Sequence, residues 1–334
     1  MARLRRELRP DIQLALKEAE ALMRSDPSGN IHQVYWGVPT ARYHSRFSEA
    51  VVFVVKRKVP LRDIAALGSP LVPGRLMGYL MTDVQERPRA EIALLRLSDM
   101  RAHQYITGVH VECHDAPIPG GVQIQPDGAP WLGTLGCKIV YRADDGTLRH
   151  GAITNYHVAT DVRNRPIVQP MGSRPWFARV AYSPGVKFGG VANQIDISVL
   201  DIERADGAYA PSTHTVKPEQ VTLGRYSQEL SQGGLGTTVA RDGRTLGRLT
   251  DGICTGIGAS VTVGYGAGQV ALFTDQLIVT RLSGSFSAPG DSGSMVFEWP
   301  AMRAFGLLFG GGEDTTIVSP VEYAISEARV YSFE

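Results

Sequence analysis

The sequence predicts a mainly β fold with a small α+β segment at its N-terminus. Thirty-seven Gly and 20 Pro are spread through 334 residues, too many for a helical bundle and too dispersed for a low-complexity tract. After residue 118, short apolar runs alternate with turn signals such as Asp144-Asp145-Gly146, the pattern of strands joined by tight connections. Helical periodicity is confined to the beginning of the chain. With 43% hydrophobic and 20% charged residues, the chain has enough apolar side chains to bury at least one full core.

The first element is a helix over residues 11–24, DIQLALKEAEALMR, where Ile12, Leu16, Ala19 and Met23 recur at helical spacing. Asp26-Pro27-Ser28-Gly29 ends it. The β-branched run Ala50-Val51-Val52-Phe53-Val54-Val55 reads as a buried strand, closed by Lys56-Arg57-Lys58 and Pro60. The three basic residues read as a solvated strand end. The string HDAPIPGGV, residues 114–122, is rich in Pro and Gly and places a domain boundary near residue 117. Residues 1–117 are therefore expected to form an α+β domain and residues 118–334 an all-β one. No repeat of solenoid period is present.

Charge narrows the choice of partners. Lys and Arg total 34 against 33 Asp and Glu, a net charge of +1, which supplies no general attraction for nucleic acid or an anionic membrane. Cys113, Cys137 and Cys254 are too few and odd in number for a disulfide framework, as expected for a reducing compartment. The basic start MARLRRELR is followed by no apolar signal-peptide core, and no window of about 18 apolar residues could span a membrane. A cytoplasmic protein is expected.

The chemistry sits in three strings. Ala288-Pro289-Gly290-Asp291-Ser292-Gly293-Ser294 flanks a serine with glycines ahead of the apolar run Met295-Val296-Phe297. Such a turn exposes a hydroxyl and leaves backbone N–H groups free to converge on one point. GAITNYHVA places His157 directly after a strand-like stretch, and QIDISVL places Asp196 at the head of an alternating one. The chain order His157, Asp196, Ser292 excludes the α/β-hydrolase arrangement, in which the serine comes first.

Together TNYHVA, DISVL and PGDSGS resemble the chymotrypsin-fold, trypsin-like serine peptidases of intracellular type. Residues 239–247, VARDGRTLG, resemble the family's "K-x-G-R-T-T-G" segment, and Gly306-Leu307-Leu308-Phe309-Gly310 resembles its substrate-lining strand. Residues 133–137, GTLGC, with VVFVVKRKVPL and the following Thr82-Asp83-Val84, are similar to bacterial relatives of the plant narrow-leaf protein. The resemblance implies two six-stranded antiparallel β-barrels, about 118–205 and about 222–330, and a serine endopeptidase. In it Ser292 is the nucleophile, His157 the general base and Asp196 the group that orients and stabilises the imidazole. The N–H groups of Gly290 and Ser292 form the oxyanion hole. Phe286, Leu308, Phe309, Gly310 and Thr316 line the primary pocket. None of these is acidic, so a small or medium apolar side chain is expected rather than Lys or Arg.

In secreted relatives the aspartate before the nucleophile pairs with a freed N-terminus. Here a long segment precedes the barrels, so Asp291 needs another partner, and activation is expected to be conformational rather than by cleavage near Gly120-Gly121. Glu313 and Asp314 read as a solvated loop.

Neither a cofactor nor a metal is expected. His110, Cys113 and His114 in HVECH lack a second ligand pair, and strand alternation would split them between faces. Gly310-Gly311-Gly312 and Gly233-Gly234 lack the Lys-Ser/Thr context of a phosphate loop. The expected partners are a protein or peptide substrate, with homo-oligomerisation or a regulatory partner acting through the N-terminal domain. A narrower version is a regulated signalling or defence protease with one dedicated target. The rival reading is a catalytically silent fold that acts as a peptide or protein interaction module.

Overall fold

The computed structural model describes residues 8–39, 49–93, 95–96, 120–159, 166–169, 178–202, 227–312 and 314–333. The N-terminal part contains α1 (Pro10–Arg24), β1 (Ile31–Gly37), β2 (Ala50–Val55), α2 (Leu61–Leu67), β3 (Arg75–Leu76), β4 (Leu80–Glu86), β5 (Glu91–Ile92) and β6 (Leu95–Arg96). The middle part runs through β7 (Gln123–Pro126), β8 (Trp131–Thr134), β9 (Lys138–Arg142), β10 (Leu148–Thr154) and the single turn α3 (Tyr156–Ala159). It continues with β11 (Pro166–Val168), β12 (Ala178–Tyr182), β13 (Ala192–Asn193) and β14 (Ser198–Asp201). The last part holds β15 (Ser227–Leu230), β16 (Thr238–Gly243), β17 (Gly247–Gly264), β18 (Val270–Thr280), β19 (Met295–Glu298), β20 (Arg303–Gly311) and β21 (Thr316–Pro320). It ends with α4 (Glu322–Glu327) and β22 (Val330–Phe333). The chain is thus mainly β.

Proline in the first turn of α1 costs no hydrogen bond. The helix buries Ile12, Ala15, Ala19 and Met23 and leaves Leu16 at the edge of the same cluster, one step round from the face read from the sequence. Asp26 ends the helix as a connector. One carboxylate oxygen accepts the N–H and hydroxyl of Ser28 (3.0 and 2.6 Å), and the other accepts the N–H of Ile31 (2.7 Å) at the start of β1.

Hydrogen bonding sorts the strands into two sheets. In the first, the order is β22-β9-β10-β14-β12-β11-β7-β8-β6, so the last strand returns to pair with β9. In the second, β17, β18, β21, β20, β19 and β16 follow one another and the path closes where β17 pairs with both β18 and β16. The long β17 also takes β1 as an antiparallel neighbour, with Gln33 opposite Val261. Through β1, β2, β4 and β3 the N-terminal part continues this second sheet. Its β-branched strand β2 is buried along its whole length, with Val51, Phe53 and Val55 in one cluster with α1 and Val52 and Val54 in another with Val261 and Phe273.

An apolar cluster joins the two sheets. Cys137, Ile139, Ile153 and Ile197 from the first meet Ala240, Met295, Phe297 and Leu307 from the second. Asp196 lies between Ile195 and Ile197 of this cluster, and Ser292 lies on the turn before its Met295, both buried, as is His157 in α3. Cys137 and Cys254 are buried in the cores, and burial pushes the Cys137 thiol well above its usual range. No helix among the described residues is long and apolar enough to cross a membrane. Cys113, His110, His114, Glu313 and the boundary near residue 117 lie outside the described residues.

One buried titratable group on β1 sets an acid limit. His32 is 1% exposed and its Nε2–H donates to the Arg87 carbonyl at 3.1 Å. Burial pushes its imidazole down to about 4. The folded value lies below the unfolded one, so its contribution to stability is complete above about pH 6.5 and is lost as pH falls through 4. Between pH 7 and pH 4.5 the wild type is expected to lose about 2 kcal/mol more unfolding free energy than His32→Gln. Denaturant melts at the two pH values check this, and equal losses would show that His32 is not the acid-sensitive group.

Candidate active site

The antiparallel pairing of β10 with β14, Thr154 opposite Ser198, brings the two loops that follow and precede these strands side by side. His157 lies in α3 just after β10, and Asp196 lies between the buried Ile195 and Ile197 just before β14. Their rings and carboxylate meet. Nδ1 of His157 is 2.7 Å from Oδ2 of Asp196, and the His157 backbone N–H reaches Oδ1 at 3.3 Å. Because an ionised carboxylate only accepts, Nδ1 carries the proton and Nε2 presents its lone pair. Nε2 has no hydrogen-bond partner among the described residues. The Asn155 amide donates to the Asp196 carbonyl at 2.7 Å and holds the loop in place.

A further donor was not visible in the sequence. The hydroxyl of Tyr265, in the turn after β17, also donates to Oδ2 of Asp196. Burial, and then the charge of Asp196, raise the Tyr265 phenol well above its usual range, so it stays protonated and donates. Its ring stands edge-on to the imidazole of His157 (centroids 5.8 Å apart) and stacks on Phe273.

Ser292 lies across the junction, on the turn before β19. Gly293 has φ +96°, and a Cβ there would lie 2.2 Å from the Thr134 carbonyl oxygen, so only glycine fits. Thr134 clamps the turn from the first sheet, its N–H on the Ser292 carbonyl and its hydroxyl on the Gly290 carbonyl, both at 2.7 Å. The Ser292 hydroxyl donates to the Phe309 carbonyl at 3.3 Å.

Asp291 has found its partner in Arg241 of β16. Nη2 of Arg241 lies 3.0 Å from Oδ2 of Asp291, with both side chains fully buried. The N–H groups of Thr245 (2.8 Å), Ala288 (3.0 Å) and Leu246 (3.4 Å) also donate to the carboxylate. The same guanidinium donates to the carbonyls of Phe286 (2.7 Å) and Gly247 (3.1 Å). Burial pulls the Arg241 guanidinium down from its usual range while Asp291 opposes that pull. The segment VARDGRTLG was legible as a motif; the pairing of its arginine was not.

The N–H groups of Gly290 and Ser292 converge on one acceptor, the carbonyl oxygen of Ala93, at 2.7 and 3.4 Å. Ala93 follows β5, which pairs antiparallel with β20, Ile92 opposite Gly310 and Glu91 opposite Gly311. The Ala93 N–H donates to the Phe309 carbonyl at 3.1 Å. Nothing in the sequence pointed to this segment.

The expected pocket residues divide by role. The side chains of Leu308 and Phe309 are buried in the cores on either side of β20; the backbone of Phe309 and Gly310 lies along β5 and Ala93, while that of Leu308 bonds to Gly293 and Ser294. Phe286 is buried in the same cluster as Ala93. Thr316 is buried on β21, its hydroxyl 2.7 Å from that of Ser287. Asp314 lies on the exposed side of the loop before β21. No cluster of metal-ligating side chains occurs among the described residues.

No protein-family model matches the sequence, and no curated protein does. Among solved structures, the chain is similar to chymotrypsin from Cellulomonas bogoriensis, with a TM-score of 0.42 and 21% identity over 64% of this chain and 96% of that one. It is also similar to the Rv3671c protease in its inactive form, with a TM-score of 0.31 and 16% identity over 57% of this chain and 86% of that one.

The buried ion pair makes a sharp prediction. Arg241→Met leaves the Asp291 carboxylate buried without its cation and is expected to cost about 3–5 kcal/mol in unfolding free energy. Adding Asp291→Asn removes the stranded charge and should recover more than half of that loss. Chemical denaturation of the two single variants and the double variant measures the coupling, and additive losses would mean that the two residues act independently.

Proposed function

We propose that this chain is a serine endopeptidase that cleaves peptide bonds through an acyl-enzyme formed on Ser292. The observation that carries the reading is the convergence of the Gly290 and Ser292 N–H groups on one carbonyl oxygen; the pairing of His157 Nδ1 with the Asp196 carboxylate supports it. Two backbone donors aimed at a single oxygen stabilise the oxyanion that forms when a carbonyl is attacked.

In the reaction the Ser292 hydroxyl turns from the Phe309 carbonyl to Nε2 of His157 and gives up its proton as it attacks. His157 returns that proton to the leaving amine. Asp196 stabilises the imidazolium and keeps it oriented, with Tyr265 as a second donor on the carboxylate. A water then repeats the sequence on the ester. The pocket beside Phe286 suits a small apolar side chain. The reading takes the chain as a serine peptidase of two β-barrels, about 118–205 and about 222–330, behind an N-terminal domain of residues 1–117. The reading extends to a cytoplasmic enzyme regulated through that domain, by self-association or by a partner, and devoted to one protein target.

One observation favours the rival, a silent interaction module: the Ser292 hydroxyl is bonded to the Phe309 carbonyl and leaves Nε2 unpartnered. Treatment with a fluorophosphonate probe separates the two. An adduct mapped to Ser292 and absent from Ser292→Ala and His157→Ala is expected of the enzyme, and no adduct on folded protein is expected of the module. Tyr265→Phe should slow formation of the adduct about tenfold, within the range of a positioned proton-transfer group, while the thermal midpoint stays within a few degrees. An unchanged rate would show that the Tyr265 hydroxyl does not position Asp196.

A further inference from the structure

We propose that the Ala93–Leu94 peptide bond of this chain is itself a substrate of the site, cut in its own molecule after a small apolar residue. The inference rests on the peptidase reading above and names the bond and the side-chain class that the reading leaves open.

The segment lies across the site as a substrate would. On its N-terminal side the Ala90 carbonyl accepts the Gly264 N–H at 3.0 Å. Glu91 and Ile92 then pair antiparallel with Gly311 and Gly310 of β20, and the Ala93 N–H donates to Phe309. A Cβ on Gly310 would come within 2.8 Å of the Glu91 carbonyl oxygen, so glycine is what lets the two strands close. On the other side, Leu95 and Arg96 pair with Leu132 and Trp131 of β8, in the opposite sheet. The described stretches on either side of residue 94 are therefore bound to different sheets. The Ala93 carbonyl receives both oxyanion-hole donors. Leu94 lies outside the described residues, yet covalent connectivity fixes the bond to it as the one that follows that carbonyl.

The pocket explains the choice of residue. The Ala93 side chain is 7% exposed and belongs to a buried cluster with Phe286, Leu308 and Val239. The Phe286 ring lies so close to β17 that a Cβ on Gly252 would meet it at 2.4 Å. An aromatic side chain in that place leaves room for a methyl group and offers no counter-charge for a long cation. Ile92 packs against the Phe273, Phe309 and Tyr265 group, which adds an apolar site for the preceding residue.

The step balances without any further reagent except water. The Ser292 oxygen bonds to the Ala93 carbonyl carbon and its proton passes to Nε2 of His157. The C–N bond breaks, and the proton leaves with the Leu94 amine. Water then cleaves the Ser292 ester, so that its oxygen ends in an Ala93 carboxylate and its proton restores the serine.

The test follows the full-length chain, freshly purified, by intact mass and by N-terminal sequencing. Wild type is expected to yield a fragment beginning at Leu94, while Ser292→Ala stays whole. Ala93→Arg should be cut at least on the order of a hundredfold more slowly, because its side chain does not fit the pocket. With the segment unseated, that variant should also react faster than wild type with a fluorophosphonate. An uncut wild-type chain whose Ser292 still takes the probe, in wild type or in Ala93→Arg, overturns this proposal and leaves the peptidase reading intact. An uncut chain whose Ser292 takes no probe in either protein, with cooperative melting retained, overturns both. Cleavage that persists in Ser292→Ala assigns the cut to another protease and overturns the proposal.

Discussion

The ion pair between Arg241 and Asp291 is the constraint on which the site depends. Two charges taken fully out of water are tolerated only when each meets the other and their remaining polar atoms are hydrogen-bonded. The two charges lie 3.0 Å apart, and the groups that hydrogen-bond their other atoms come from the segments around Ser292: Ala288 ahead of it, Thr245 and Gly247 where β16 turns into β17, and Phe286. With Asp291 held, the Gly290 and Ser292 amides face one way. An α-amino group in this role loses its charge near pH 8, whereas a guanidinium does not. The turn is thus organised by a residue internal to the folded chain.

A second carboxylate, that of Asp196, is held differently because its task is different. It is also fully buried, but it meets neutral donors: the imidazole Nδ1–H, the His157 backbone N–H and the Tyr265 hydroxyl. A cation in contact would satisfy the charge permanently. Neutral donors leave it available to stabilise a proton arriving on the imidazole, which is what the proposed acylation asks of it. The two buried aspartates therefore divide along a physical line, one paired for structure and one left to respond.

The sequence made His157, Asp196 and Ser292 legible as candidates because each sits in a string whose residue types serve a turn. Gly290 and Gly293 flank Ser292 at φ values of +99° and +96°, and such glycines stand out in a sequence. The apolar run 50–55 announced its strand in the same way. What remained hidden depends on contacts between residues far apart in the chain. No local pattern says that β1 will pair with β17, or that a tyrosine ahead of an ordinary turn will reach Asp196. Arg241 lay within a quoted motif, yet its partner is 50 residues away in sequence. Ala93 has neither charge nor unusual spacing. Its importance comes from where its carbonyl lies, and a carbonyl is common to every residue.

The architecture also decides what a cut after Ala93 would do. The segment is anchored on both sides, to β20 before the bond and to β8 after it, so it meets the site at the high effective concentration of a short tether. After cleavage neither piece is free to leave. Strands β1, β2 and β4 remain hydrogen-bonded to the second sheet through the pairing of β1 with β17 and share buried clusters with it. The new Ala93 carboxylate would meet the same two N–H groups as a charged acceptor, which binds more tightly than the neutral carbonyl it replaces. Cutting the bond and opening the site are therefore separate events. The first removes the covalent strap across the nucleophile. The second requires Glu91 and Ile92 to peel away from Gly311 and Gly310, and a partner or a second copy that pulls on the N-terminal strands acts at that step.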